Sequence, residues 1–215
     1  MRVSPLALSR EWLLATHNRG KVAELAPSLQ GYGVRLRTLA DFDLPSPEEN
    51  GGSFLENALL KARAGFSATG LPTLAEDSGL CVAALDGAPG IHSARFAGPD
   101  ADDAENNRLL LERMRGLRPE ERTAHFHCCM VLLHRSDDPE PLVAQGLWSG
   151  SIADAALGTG GFGYDPVFIP FGDLLTAAQL EPEIKRLRSH RAMAIRSLLA
   201  LLDALYPSQP LSLKA

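Results

Sequence analysis

An α/β fold on a mixed β-sheet is what this sequence predicts, on three observations. Strand-like and helix-like segments mix without the strict alternation that a purely parallel sheet requires. Residues 123–135 and 141–148 read as one long antiparallel hairpin across an Asp-Asp-Pro-Glu turn, which calls for a mixed sheet. The 215 residues, 45% of them apolar, suffice for one well-packed domain, with room for two lobes. The predicted domain spans 11–206, and residues 1–10 and 207–215 read as loose termini.

Taken in order, Trp12–Ala15 is a short apolar run that reads as a buried strand. It leads into Thr16-His17-Asn18-Arg19-Gly20-Lys21, where Thr16 or Asn18 can cap a helix carrying Lys21 in its first turn. A helix N-terminus disfavours a cation, so Lys21 there is either solvated or waiting for an anion such as phosphate. Pro27 predicts a kink or an early stop. Val34–Thr38 is a second strand, and 41–52 is a polar loop that holds Glu48 and Glu49. Ser53 and Glu56 fit a capping box that opens a helix running to Thr69, with Gly70 and Pro72 as the stop. In that helix Asn57 and Lys61 lie one turn apart on a common face.

The segment Thr73–Leu85 reads as strand, turn, strand, because Asp77-Ser78-Gly79 is good turn chemistry. Glu76 and Asp77, wedged between apolar runs, read either as part of that turn or as oxygen ligands for a hard cation such as Mg²⁺. A helix follows from 100–103 to Gly116, and the hairpin follows that. His125 and His127 face one way on a strand, but no second ligand cluster accompanies them at zinc spacing. Gly158–Pro166 packs glycines around Phe162 and Tyr164, flat faces on which a nucleobase can stack. Ser189 caps the last helix, placing His190 and Arg191 at a second N-terminus where cations need an acceptor.

A net charge of −5 argues against a broad basic surface for nucleic acid or anionic membrane. Cys81, Cys128 and Cys129 are odd in number, and two are neighbours, which argues against a disulfide framework and for a reducing compartment. No segment reads as a signal peptide or a bilayer span, so a cytoplasmic protein is expected.

Two basic helix starts, a Gly/aromatic loop and paired carboxylates together indicate a phosphoester site in a cleft. Those segments, with Phe54-Leu55-Glu56-Asn57-Ala58, Lys61-Ala62 and Gly87-Ala88-Pro89-Gly90, resemble the inosine triphosphate pyrophosphatase family of house-cleaning nucleotide phosphohydrolases from Trp12 to Leu205. The resemblance implies a two-lobed fold with a central cleft, a homodimer, and Mg²⁺-assisted hydrolysis of ITP, dITP and XTP to the monophosphate and pyrophosphate. It further implies that Thr16, His17, Asn18, Arg19, Gly20 and Lys21 hold the phosphates. Asp77 would bind Mg²⁺ and take the water's proton, Ser78 would touch substrate, and Glu48 or Glu49 would complete the metal site, with Glu76 as an auxiliary ligand. Phe162, Gly163, Tyr164 and Asp165 would line the nucleoside site, and Lys185, His190 and Arg191 would reach the base. His17, Glu76 and Ile184 stand where relatives commonly have glycine, aspartate and an acidic residue. A Maf-like pyrophosphatase acting on pyrimidine or modified nucleotides, and a nucleotide-binding regulator without turnover, are the competing readings.

Overall fold

In the computed structural model, residues 10–205 are described; the predicted loose termini lie outside them but for Arg10. These residues form one six-stranded sheet in the order β2-β1-β3-β4-β5-β6. β1 (Glu11–Leu14) runs parallel to β2 (Arg35–Thr38) and to the start of β3 (Thr73–Val82). β3 then pairs antiparallel along its whole length with β4 (Thr123–Leu133), β4 with β5 (Leu142–Ile152), and β5 with the short β6 (Phe168–Pro170). The mixed sheet and the hairpin are as the sequence predicts. No helix among these residues is long and apolar enough to cross a membrane.

The predicted turn at Asp77-Ser78-Gly79 is absent: β3 is continuous from Thr73 to Val82. Local turn chemistry loses to the ladder, in which Asp77 pairs with Cys129, Ser78 with Cys128 and Gly79 with His127. Because strand side chains alternate faces, Glu76 and Ser78 point to one side of the sheet and Asp77 to the other. The packing marks those sides. Leu74, Cys128 and Met130 share a core with Leu25 and Leu29 of α1 (Arg19–Gly31) and with Ala194, Ile195 and Leu198 of α5 (His190–Leu205). Ala75 and Val131 share another core with Ala58 and Ala62 of α2 (Phe54–Thr69). Leu80, Phe126, Trp148 and Phe168 form a third core with Leu110 of α3 (Asp103–Arg113).

Helix ends follow their capping residues. The Asn18 side chain accepts from the Lys21 amide, Ser53 from Glu56 and Asp102 from Glu105. Glu56 completes only half of the expected box, accepting from Gly52 rather than from the cap. Pro27 does not stop α1, which continues to Gly31. Leu25 and Leu29, both fully buried on either side of it, hold the turn that proline alone would disfavour.

Close approach of α5 to the sheet depends on Gly146 in β5. A Cβ there would overlap the His190 carbonyl and the Ala194 amide, both backbone groups. Gly146→Ala should therefore cost about 1–3 kcal/mol as overpacking. Thermal melting should show this as a drop of roughly 2–12 °C at this chain length.

Candidate active site

The site forms where β1 ends and β3 continues. Past Leu14, β1 gives way to the turn at Thr16 and to the N-terminus of α1, while β3 carries Glu76, Asp77 and Ser78 beyond the last paired residues, Leu14 and Leu74. A carboxyl-end crevice of this kind is the usual ligand position in open α/β sheets.

On the α1/α5 face Glu76 is 3% exposed. Its Oε1 accepts from Lys21 Nζ at 3.0 Å and Arg191 Nε at 3.2 Å, and its Oε2 accepts from Cys128 Sγ at 3.1 Å. Burial opposes the charge, but Arg191 and Lys21 hold the Glu76 carboxyl well below the carboxylate range. Arg191 also donates to Ser78 Oγ at 3.0 Å and to Glu24 Oε2 at 2.5 Å. Glu24 Oε1 takes Lys185 Nζ at 3.2 Å, and Lys185 reaches Asp165 Oδ2 at 2.5 Å. Three cations and three carboxylates thus interlock on this face, which removes the objection to Lys21 and Arg191 at helix starts. Burial and the Glu76 charge push the Cys128 thiol well up, so it is the donor in that contact.

On the α2 face Asp77 Oδ1 meets Lys61 Nζ at 2.8 Å and its Oδ2 accepts from Asn57 Nδ2 at 3.2 Å. Lys61 also reaches Glu49 Oε1 at 2.6 Å, and Arg95 holds Glu49 by its side chain and its carbonyl, both at 3.4 Å. The pulls on these groups are unequal. Asp77 is pushed up by burial against one shared cation, with Glu49's charge adding to the rise. Lys61 sees two carboxylates, which outweigh burial and hold it above the lysine range. Glu49, with Lys61 beside it, is lowered in spite of burial.

The glycine loop closes the cleft, a cavity of 150 Å³ lined on these sides by Lys21, Ser78, Phe162, Asp165, Lys185 and Arg191. Lys185 Nζ lies 4.9 Å and Arg191 Cζ 5.5 Å from the Phe162 ring centre. Tyr164 donates to the Ser93 carbonyl at 2.8 Å, Phe162 N to Asp165 at 2.8 Å and Gly163 N to Asp103 at 2.7 Å. Gly161 is obligatory: its φ is +75°, and a Cβ would overlap the Asp165 carboxylate. His190 stacks on Phe126 with ring centres 4.7 Å apart and planes 9° apart.

Burial, aided by the Arg191 charge, pushes the His190 imidazole well below its ordinary value, so it folds neutral. The unfolded chain takes up that proton below about pH 6.5, so stability is lost as pH falls through that value, by up to about 1.4 kcal/mol per unit. His125 and His134, also lowered by burial, act in the same direction. Melting at pH 7.5 and 5.5 should therefore show a smaller acid loss in His190→Asn than in wild type, by roughly 3–6 °C.

Of the predicted substrate residues, Asn18, Lys21, Ser78, Phe162, Gly163, Tyr164, Asp165, Lys185, His190 and Arg191 line one cavity. Thr16, Asn18, Arg19 and Gly20 form the turn and first residues of α1. Thr16 accepts from the Asn18 amide, and Gly20 packs against the Phe162 ring. His17 instead reaches the Leu44 carbonyl at 2.8 Å, tying this turn to the acidic loop. The four predicted metal carboxylates are not gathered. Asp77 and Glu49 converge on Lys61, Glu48 is exposed, and Glu76 faces the other side of the sheet. Among the described residues no three His, Cys, Asp or Glu side chains cluster as a metal group. Ile184 is 42% exposed. Missing from the predicted set are Asn57, Lys61, Glu24 and Arg95. The first two left a signal, since two polar residues one turn apart flank the core alanines Ala58 and Ala62. Glu24 follows Lys21 by one turn on α1, and Arg95 left no signal.

The sequence pattern of the Ham1 family matches residues 12–201. The chain is 52% identical over 192 residues to the dITP/XTP pyrophosphatase of Thioalkalivibrio sulfidiphilus, across 89% of this chain and 97% of that one. It is 50% identical over 190 residues to the enzyme of the same name from Photobacterium profundum, across 88% and 96%. Its fold is similar to that of a HAM1 protein from Coxiella burnetii, with a TM-score of 0.83, 41% identity and coverage of 92% and 99%.

Proposed function

The chain belongs to the Ham1 family, and on that premise we propose that it hydrolyses dITP, XTP and ITP to the monophosphate and pyrophosphate. The observation that carries this reading is the division of β3: Glu76 and Ser78 organise cations on one face while Asp77 stands on the other, beside Lys61 and Glu49.

In this reading the triphosphate lies across the start of α1, where free amides and Lys21 meet its oxygens. Asp77, raised by burial toward a useful basicity, takes the proton of the attacking water while Asn57 and Lys61 orient its two oxygens. The water oxygen bonds to the α-phosphorus, and the bond from that phosphorus to the oxygen bridging to the β-phosphate breaks. The base packs by Phe162, where Arg191 and Lys185 offer donors. Those donors suit the O6 acceptor of hypoxanthine and xanthine and oppose the N6 donor of adenine.

The donor set fits Mg²⁺, a hard ion usually held by one or two carboxylates plus substrate phosphates. Asp77 and Glu49 already share one cation, the Lys61 ammonium, and they are the residues that would hold the ion. When bound, it would neutralise charge on the phosphates. Glu76, engaged by Lys21 and Arg191, is read as their counter-ion. A cytoplasmic homodimer acting on a small-molecule nucleotide rather than nucleic acid completes the reading, supported by the family resemblance, the free thiols and the net charge of −5.

The test is pyrophosphate release from ITP, XTP, dITP, ATP, GTP, CTP and UTP with and without Mg²⁺. Release from the non-canonical purines ITP, XTP and dITP above the others is expected. No release from any of them would overturn the reading.

A further inference from the structure

The Glu76 side chain is 1% exposed, so its two oxygens depend on protein donors. Lys21 and Arg191 both go to Oε1. Among the described residues Oε2 has one partner, the Cys128 thiol at 3.1 Å. Cys128 is fully buried and sits opposite Ser78 in the β3–β4 ladder, so its side chain shares the face of Ser78 and Glu76. A carboxylate anchored at one oxygen can rotate about its last bond, and anchoring the second oxygen fixes its plane.

We propose that Cys128 is a positioning residue for the reaction described above: its S–H fixes Oε2 of Glu76, so that Oε1 is presented to Lys21 and Arg191 together. Through that carboxylate the thiol sets the phosphate-side cation and the guanidinium that Ser78 also holds. The inference rests on the proposed triphosphate substrate, and wild-type turnover of ITP tests that reading separately.

A thiol that only fills space makes the opposite prediction to one that donates. Cys128→Val and Cys128→Ala remove the donor, and Cys128→Ser keeps it. If the thiol positions Glu76, Val and Ala raise KM for ITP about five- to tenfold, since a thiol is a weak donor to a charged group, and kcat changes less. Cys128→Ser then stays nearer wild type, although a buried hydroxyl lowers its melting temperature. ITP affinity measured by calorimetry without metal should follow the same order. A further reading needs no Cys128 variant to fold: an S–H infrared band of the wild-type protein should shift in Glu76→Gln. Wild-type KM in Val and Ala, a Ser variant no better than Ala, or an S–H band unmoved in Glu76→Gln would each overturn the proposal.

Discussion

Asp77→Asn should lower kcat for ITP by about 10²–10⁴-fold, the range in which a positioned general base operates. The amide keeps the shape of the carboxylate and can still accept from Lys61 or Asn57, so the fold should survive. Burial raises the Asp77 carboxyl, which means its charge is held at a cost in the folded state. Removing that charge leaves Lys61 with Glu49, at 2.6 Å, as a remaining partner. Single-turnover pyrophosphate release, with a melting curve on the same sample, measures both effects. Near-normal kcat in a folded Asp77→Asn protein would take Asp77 out of the mechanism.

The second large effect falls on stability. Glu76→Gln removes the negative charge between Lys21 and Arg191, and Arg191 is 2% exposed. Breaking a buried ion pair from one side costs about 3–5 kcal/mol, because the surviving cation stays desolvated. For a chain of this length the melting temperature should fall by roughly 6–20 °C. Glu24 still pairs with Arg191, so the lower half of that range is expected. The same variant should lose on the order of a hundredfold in kcat/KM, as loss of a preorganised charge contact does. The two variants should therefore differ: Asp77→Asn loses turnover with its fold intact, whereas Glu76→Gln loses stability as well as activity. Equal melting temperatures for the two variants would contradict this division.

Much of this arrangement was legible before the fold was known. Capping residues marked the starts of α1 and α2, and the basic residues at the starts of α1 and α5 advertised a missing acceptor. The acceptors themselves were not legible. Glu24 and Glu76 find Arg191 across 167 and 115 residues, and no local pattern encodes such pairings. Lys61 showed only that it shares a helix face with Asn57, because propensity reads the same whether that face meets water or a carboxylate. The misreading at Asp77-Ser78-Gly79 had further consequences. A turn would let Glu76 and Asp77 converge on one ion, whereas a continuous strand forces them apart. Turn propensity is a local quantity, and pairing with β4 on every residue of β3 overrode it.

That forced separation has a consequence for how such an enzyme can change over time. Odd and even positions of β3 face different sides of the sheet, so a lineage can change the residues around Ser78 and Arg191 without touching Lys61, Asn57 and Glu49 around Asp77. The protection is against substitutions only. Losing or gaining one residue inside the strand would exchange the side chains of the two faces at a stroke, so this part of the gene is open to point changes and closed to insertions and deletions.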